Sequence, residues 1–373
     1  MMITKESAPH IRRKATVARM MSDVLIALAP TLIFSFVVFP LQTLITYLIS
    51  IFVMVGSEFV YVGLRNMMPN DGQKHTFKER FIYAYKGKYT INNVLSPLIT
   101  AIIFTLIMPA GAPVYAVIVG AFAGIIIGKL VFGGLGSNIF NPAAVGMLFS
   151  KICFGSQYTY PSTWFYSLPN DVKVGATPLG MMSDGMFSHV TEFPLLDLFL
   201  GRIPGTLGEV YKITIIIGLI YLLIRRSADF RIVVSFFGTF IVLSLVAGLS
   251  VMGVDGKTNP FIFMLYYLLG GGVIFGGVFM LTDPVTSPIN SPSRIIYGMI
   301  AAVFTLFIRL FAALPEGMGF SILIANMVAV VLDHYEWSSS RYTWKKFLAM
   351  GLIVSLSALT IFLAIRFGGT YNG

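Results

Sequence analysis

The sequence predicts an all-α polytopic membrane protein: about ten spans forming two inverted five-helix repeats, with one extra C-terminal span. Three observations carry this. Of 373 residues, 56% are hydrophobic and only 11% charged, against roughly 25% charged in a soluble domain. The apolar residues fall in runs of about 20, the length that crosses a bilayer core. A pattern of glycine and proline in the first half returns in the second.

The runs lie near 21–41, 42–65, 91–109, 114–132, 138–155, 211–225, 231–251, 262–282, 294–314, 317–335 and 344–367. The run over 138–155 is the weakest, because Asn138 and Asn141 would place amides at membrane depth, which is costly unless they face protein or a cavity. It reads as a broken or re-entrant helix. With a cytoplasmic N-terminus, 19 of the 26 basic residues fall in inside segments and 7 outside, the bias that the positive-inside rule demands. The charged start runs directly into a full-length span, so no cleavable signal peptide is expected. Topology accounts for the net charge of +10, and a nucleic-acid partner is not expected.

Four segments follow: a first membrane repeat over 1–155, an external loop over 156–210, a second repeat over 211–335, and an additional transmembrane helix within 336–373. The echo between the repeats joins Ile91 to Gly128, with Met108-Pro109 in its middle, to Leu265 to Arg309, with five glycines between 270 and 277 and then Asp283-Pro284. An odd number of spans in each copy forces the two into opposite orientations, a plan of transporters with a site near the midplane. The basic segment over 66–90 is either a docking surface for a partner or a solvated anchor.

One cysteine, Cys153, excludes a disulfide framework or a cysteine-ligated cluster. The four histidines share no metal-ligand spacing, so no metal is expected. Neither a nucleophile-base constellation nor a nucleotide-binding glycine loop is present. The external loop contains Asp171-Val-Lys-Val-Gly175-Ala176-Thr177-Pro-Leu179. Gly175 and Ala176 leave the Thr177 hydroxyl sterically open, and Asp171 stands six residues before it as a site for a metal-nucleotide donor or a modifying enzyme. On residue types alone the segment reads as a surface turn.

Six landmarks then occur in order: Phe132-Gly-Gly-Leu-Gly-Ser-Asn-Ile-Phe-Asn-Pro-Ala143, Gly175-Ala-Thr177, Ile203-Pro-Gly-Thr-Leu-Gly-Glu209, Thr282-Asp-Pro-Val-Thr-Ser-Pro288, Pro315-Glu-Gly317 and Asp333-His334. On these the chain, to about residue 335, resembles RnfD, a membrane component of the Rnf electron-transport complex, and, more distantly, NqrB, a membrane component of the sodium-translocating NADH:quinone reductase. The short stretch before the first span favours the former. The resemblance implies FMN joined by a phosphoester to Thr177 within a motif spanning Asp171, Gly175 and Ala176, installed from FAD by a flavin transferase. Val174 stands where the family has serine. It further implies a non-covalent flavin, riboflavin, nearer the cytoplasm, the other Rnf subunits (A, B, C, E and G) as partners, Na⁺ or H⁺ as the transported ion, and the bacterial plasma (inner) membrane as location, with the flavin loop external. A urea-transporter-like solute channel is the rival reading; such channels lack the attachment loop. The stretch from Gly201 to Glu209 reads either as a wrap for phosphate or ring or as a turn into the next span.

Ionisable residues within spans are functional candidates by default. Glu58, Asp283 and Asp333 lie toward the cytoplasmic half, as entry ligands for an exported ion would, or as structural partners of Arg and helix-end amides. Arg309 lies in the ninth span; Asp23 and Glu316 read as interfacial.

Overall fold

The computed structural model describes residues 16–68, 76–159, 179, 194–312, 316–334 and 339–367. Among these the chain is helical, with one isolated bridge between Pro109 and Thr206. The helices are α1 Val17–Val38, α2 Pro40–Arg65, α3 Phe77–Tyr85, α4 Ile91–Ile107, α5 Val114–Gly128, α6 Pro142–Phe154, α7 Leu195–Leu200, α8 Lys212–Arg225, α9 Phe230–Asp255, α10 Pro260–Leu269, α11 Val273–Met280, α12 Ser291–Phe311, α13 Met318–Leu332 and α14 Trp344–Phe367.

Six helices are long and apolar enough to cross a membrane, or seven if the bent pair α10 and α11 makes one span. The protein is a multi-pass membrane protein. Other expected spans are shorter: α4, α13, α8 and α6 have 17, 15, 14 and 13 residues. The run expected over 138–155 becomes helical only at Pro142, because Asn141 caps α6 by accepting from the amides of Ala143 and Ala144. The same Asn-Pro start opens α10, where Asn259 accepts from Phe261 and Ile262. The run over 262–282 is bent by 64° at Gly270–Gly272, and Gly271 has a φ of +57° that a residue with a Cβ adopts only at a cost.

Small residues set the closest packing. Gly120, Gly124 and Gly128 let α5 press against α6, so that a Cβ on Gly124 would lie 2.7 Å from the Pro142 carbonyl. Helix α1 packs on α8, α2 on α4 and α5, α9 on α10 and α12, α12 on α13, and α6 meets α13. The outward faces of α2 and α14 expose Phe52, Leu41, Leu352 and Phe362, the apolar surface expected toward lipid tails. Helix α3 begins with a capping box of Thr76 and Glu79. Its Tyr85 stacks on Phe59 at 4.4 Å between centroids, laying this part of the 66–90 segment against α2.

Candidate functional site

Two groups of buried charges occupy opposite ends of α4. The first gathers at the N-terminal part of that helix. Lys129, just past the end of α5, places its ammonium 3.0 Å from a Glu58 carboxylate oxygen on α2 and 2.8 Å from the Ser96 hydroxyl of α4. Lys129 and Glu58 are each only 1% exposed, so the pair is barely screened by water. Asp283 lies in the turn after α11. Its carboxylate accepts from the Val285 amide and the Thr286 hydroxyl, and burial pushes its carboxyl above the ordinary range despite these bonds.

Lys129 and Asp283 share a cavity of about 250 Å³ with Ser96, Thr100, Asn138 and Asn141. Apart from Ser227 and Thr282 its remaining wall is apolar, from residues such as Met20, Ile103 and Phe279. An apolar cleft with few convergent polar groups is the usual form of a small-molecule site. Two asparagines hold its floor: Asn141 donates from its backbone to the Asn326 side chain at 3.0 Å, while Asn326 donates to the Tyr297 hydroxyl and to the Thr286 carbonyl. These bonds join α6, α13 and the 281–290 turn into one frame.

The second group lies at the C-terminal end of α4. Leu207 and Gly208 donate to the Met108 and Leu106 carbonyls at 2.9 and 2.7 Å. The stretch from 201 to 211 therefore folds back onto the end of α4, which explains Gly208: a Cβ there would meet Leu106 at 2.7 Å. This brings buried Glu209 and Lys212 beside Arg309 of α12, also buried, at the Gly270–Gly272 bend. Arg309 donates to the Tyr267 and Gly270 carbonyls at 2.5 and 3.1 Å, and Lys212 to the Glu209 and Gly271 carbonyls at 2.6 and 3.3 Å. Glu316 pairs with Lys151 at 3.7 Å. Burial, reinforced by the Glu316 carboxylate, pushes the Glu209 carboxyl up to about 8. Ser96 and Leu106 are ten residues apart on α4, so the groups are separated along it by ~15 Å.

A family model described as the NQR2, RnfD, RnfE family matches residues 4–340. The chain belongs to this family. It is 36% identical over 258 residues to a protein of Chromohalobacter salexigens named as the B subunit of Na(+)-translocating NADH-quinone reductase, across 68% of this chain and 61% of the relative. It is 35% identical over 259 residues to the protein of that name in Ectopseudomonas mendocina and 34% identical over 263 residues to that in Klebsiella pneumoniae. The alignments thus span about three fifths of the length of these relatives.

Within this member of the family the structure brings together Glu58 and Asp283, both beside Lys129. Asp333 stands apart: its carboxylate accepts from the Ile289 backbone at 3.0 Å, tying the end of α13 to the turn that carries Asp283. Asp23, expected at an interface, is buried and bonded to Arg225, Ser227 and Tyr221. Asp171, Gly175, Ala176 and Thr177 lie outside the described residues. Leu179 is described, and its side chain is buried against Gly270 and Gly271. Nothing in the sequence alone marks Lys129 and Lys212 as site residues, and Glu209 enters only as the end of the Gly201 to Glu209 stretch. Their signal is a charge directly abutting an apolar run, which also fits a residue in a loop.

Proposed function

We propose that the chain is a flavin-carrying membrane subunit of a redox-driven Na⁺ or H⁺ pump, relaying electrons between ferredoxin and NAD in an Rnf complex. Its place is the plasma membrane of a bacterium, with a cytoplasmic N-terminus, an external loop over 156–210, and the other Rnf subunits and a flavin transferase as partners. The observation that carries this reading is the cavity bordered by Lys129 and Asp283, with Glu58 paired to that lysine, in a multi-pass member of the NQR2, RnfD, RnfE family. A pump needs charges held away from water on a path between two solutions, and moving one charge against 100 mV costs ~2.3 kcal/mol.

Helix packing supports an inverted repeat of α1, α2, α4, α5 and α6 with α8, α9, the α10 and α11 pair, α12 and α13. In each half the second helix packs on the third and fourth, and the fourth on the fifth. In each half, too, a buried cation near the end of the fourth helix reaches the third: Lys129 to Ser96, Arg309 to Tyr267 and Gly270. Helix α14 stands outside the repeat.

FMN bonded to Thr177 would supply electron transfer at the external side. The burial of Leu179 beside Arg309 supports the placement, since a phosphoester anion is favoured near buried cations. Asn138, Asn141, Ser96 and Lys129 fit a non-covalent flavin such as riboflavin in the cavity: a planar ring suits its apolar walls and amides its polar edge. Glu58 and Asp283 would take up the ion at the cytoplasmic end, and Asp333 would hold the turn that presents Asp283.

The first test is an SDS gel viewed under ultraviolet light, with wild type and Thr177→Ala each produced with the transferase. Wild type should fluoresce and the mutant should not; a band that persists in Thr177→Ala overturns the attachment site. For the ion, Glu58→Gln and Asp283→Ala should weaken the Na⁺ or H⁺ dependence of turnover, and unchanged dependence in both would remove their role.

A second reading, an NqrB-type component of a quinone reductase, is favoured by the names of the relatives. The purified complex distinguishes them: NADH-dependent quinone reduction without ferredoxin-dependent NAD reduction would select it.

A further inference from the structure

The group of charges at the bend has no part in the ion uptake or cavity proposed above. Glu209 is buried, and its side chain fills the space over Gly272, where a Cβ would come within 2.2 Å of a carboxylate oxygen. Each neighbouring cation is directed elsewhere: Lys212 to the Glu209 and Gly271 carbonyls, Arg309 to the Tyr267 and Gly270 carbonyls, Lys151 to Glu316. Among the described residues no ion pair within 4 Å reaches the Glu209 carboxylate, and Thr206 is its polar neighbour. The Nε donor of Arg309, buried in the same group, has no hydrogen-bond partner. A buried carboxylate that is not directly paired is costly while charged and much less so once protonated.

The ligand chemistry selects the proton over a metal cation. Na⁺ would need several oxygen ligands, and the carbonyls of Tyr267, Gly270, Gly271 and Glu209 face the Arg309 and Lys212 cations, which would repel a further cation. A proton needs only the carboxyl.

We propose that Glu209 is a proton-exchanging carboxyl in the charge group at the Gly270–Gly272 bend, separated along α4 from Glu58 and Asp283. The groups that set its affinity come from four elements: Glu316 before α13, Arg309 on α12, Lys212 at the start of α8 and Lys151 on α6. Glu316 raises that affinity, and Lys212 and Lys151 lower it. The site stands whether or not Thr177 carries a flavin.

The test is a pH titration of the full chain, purified in detergent, followed by infrared absorption of the protonated carboxyl. Wild type should show a carboxyl band lost with a midpoint near 8. Glu209→Gln should abolish the loss of that band over the neutral range. Glu316→Gln should shift the midpoint downward by removing a like charge while leaving Glu209 in place, which keeps the test open if Glu209→Gln does not fold. Absence of any band titrating above the ordinary carboxyl range in wild type, or an unaltered band in Glu209→Gln, would overturn the assignment.

Discussion

Glu58 and Lys129 form a pair that water barely screens, with the Asp283 carboxylate acting on Lys129 from the neighbouring turn. Removing one partner strands the other, and breaking a buried pair in this way costs ~3–5 kcal/mol. Lys129→Met should therefore lower the thermal midpoint of the purified chain markedly, and the double change Lys129→Met with Glu58→Gln should restore part of the loss; equal melting of the single and double variants would refute the coupling. Glu209 gives a pH effect of definite sign. Its carboxyl is raised in the fold, so between the ordinary carboxylate range and about 8 the folded state holds more protons than the unfolded one, and stability falls as pH rises. The slope of thermal midpoint against pH over that window should flatten in Glu209→Gln. The expensive intramembrane acids were legible in the sequence because any carboxylate in an apolar run stands out. Lys129 and Lys212 were not, since each lies near the end of such a run, where a basic residue is common; Lys129 also fits the positive-inside pattern, and Lys212 is one of the few basic residues that fall outside.

Helices α5 and α6 approach as closely as they do because Gly120, Gly124 and Gly146 have no side chains to separate them. Gly124→Leu should force the pair apart and displace Pro142, whose neighbour Asn141 borders the cavity; retention of wild-type melting and detergent-extracted yield would contradict this. Asn138, Asn141 and Pro142 mark this region as abnormal in the sequence, but an apolar run alone does not reveal where a cap begins a helix. Asn141 moves the start of α6 to Pro142 and leaves Asn138 as cavity lining. The glycines at 270–272 entered the sequence reading only as part of an echo between the halves, and the 64° bend there depends on what packs against it: Arg309 from α12 and Leu179.

Across the whole molecule, the membrane character was legible because composition and run length report directly on the solvent. The proposed repeat is only faintly so, since the two halves share packing and cation placement more than residue identity: Lys129 follows the end of α5, whereas Arg309 lies in the last turn of α12. The proposed topology would place position 88 and position 257 on different sides. In a Cys153→Ser background, an impermeant maleimide added to intact cells should label Lys257→Cys and spare Lys88→Cys; the reverse pattern would invert the topology. The buried side chain of Leu179 imposes a limit that operates through the covalent chain. Thr177 is two residues away, so its Cα stays within ~7 Å of that of Leu179. A flavin joined to its hydroxyl, as proposed, would be tethered within a short length of chain of the bend, whatever pocket receives its ring.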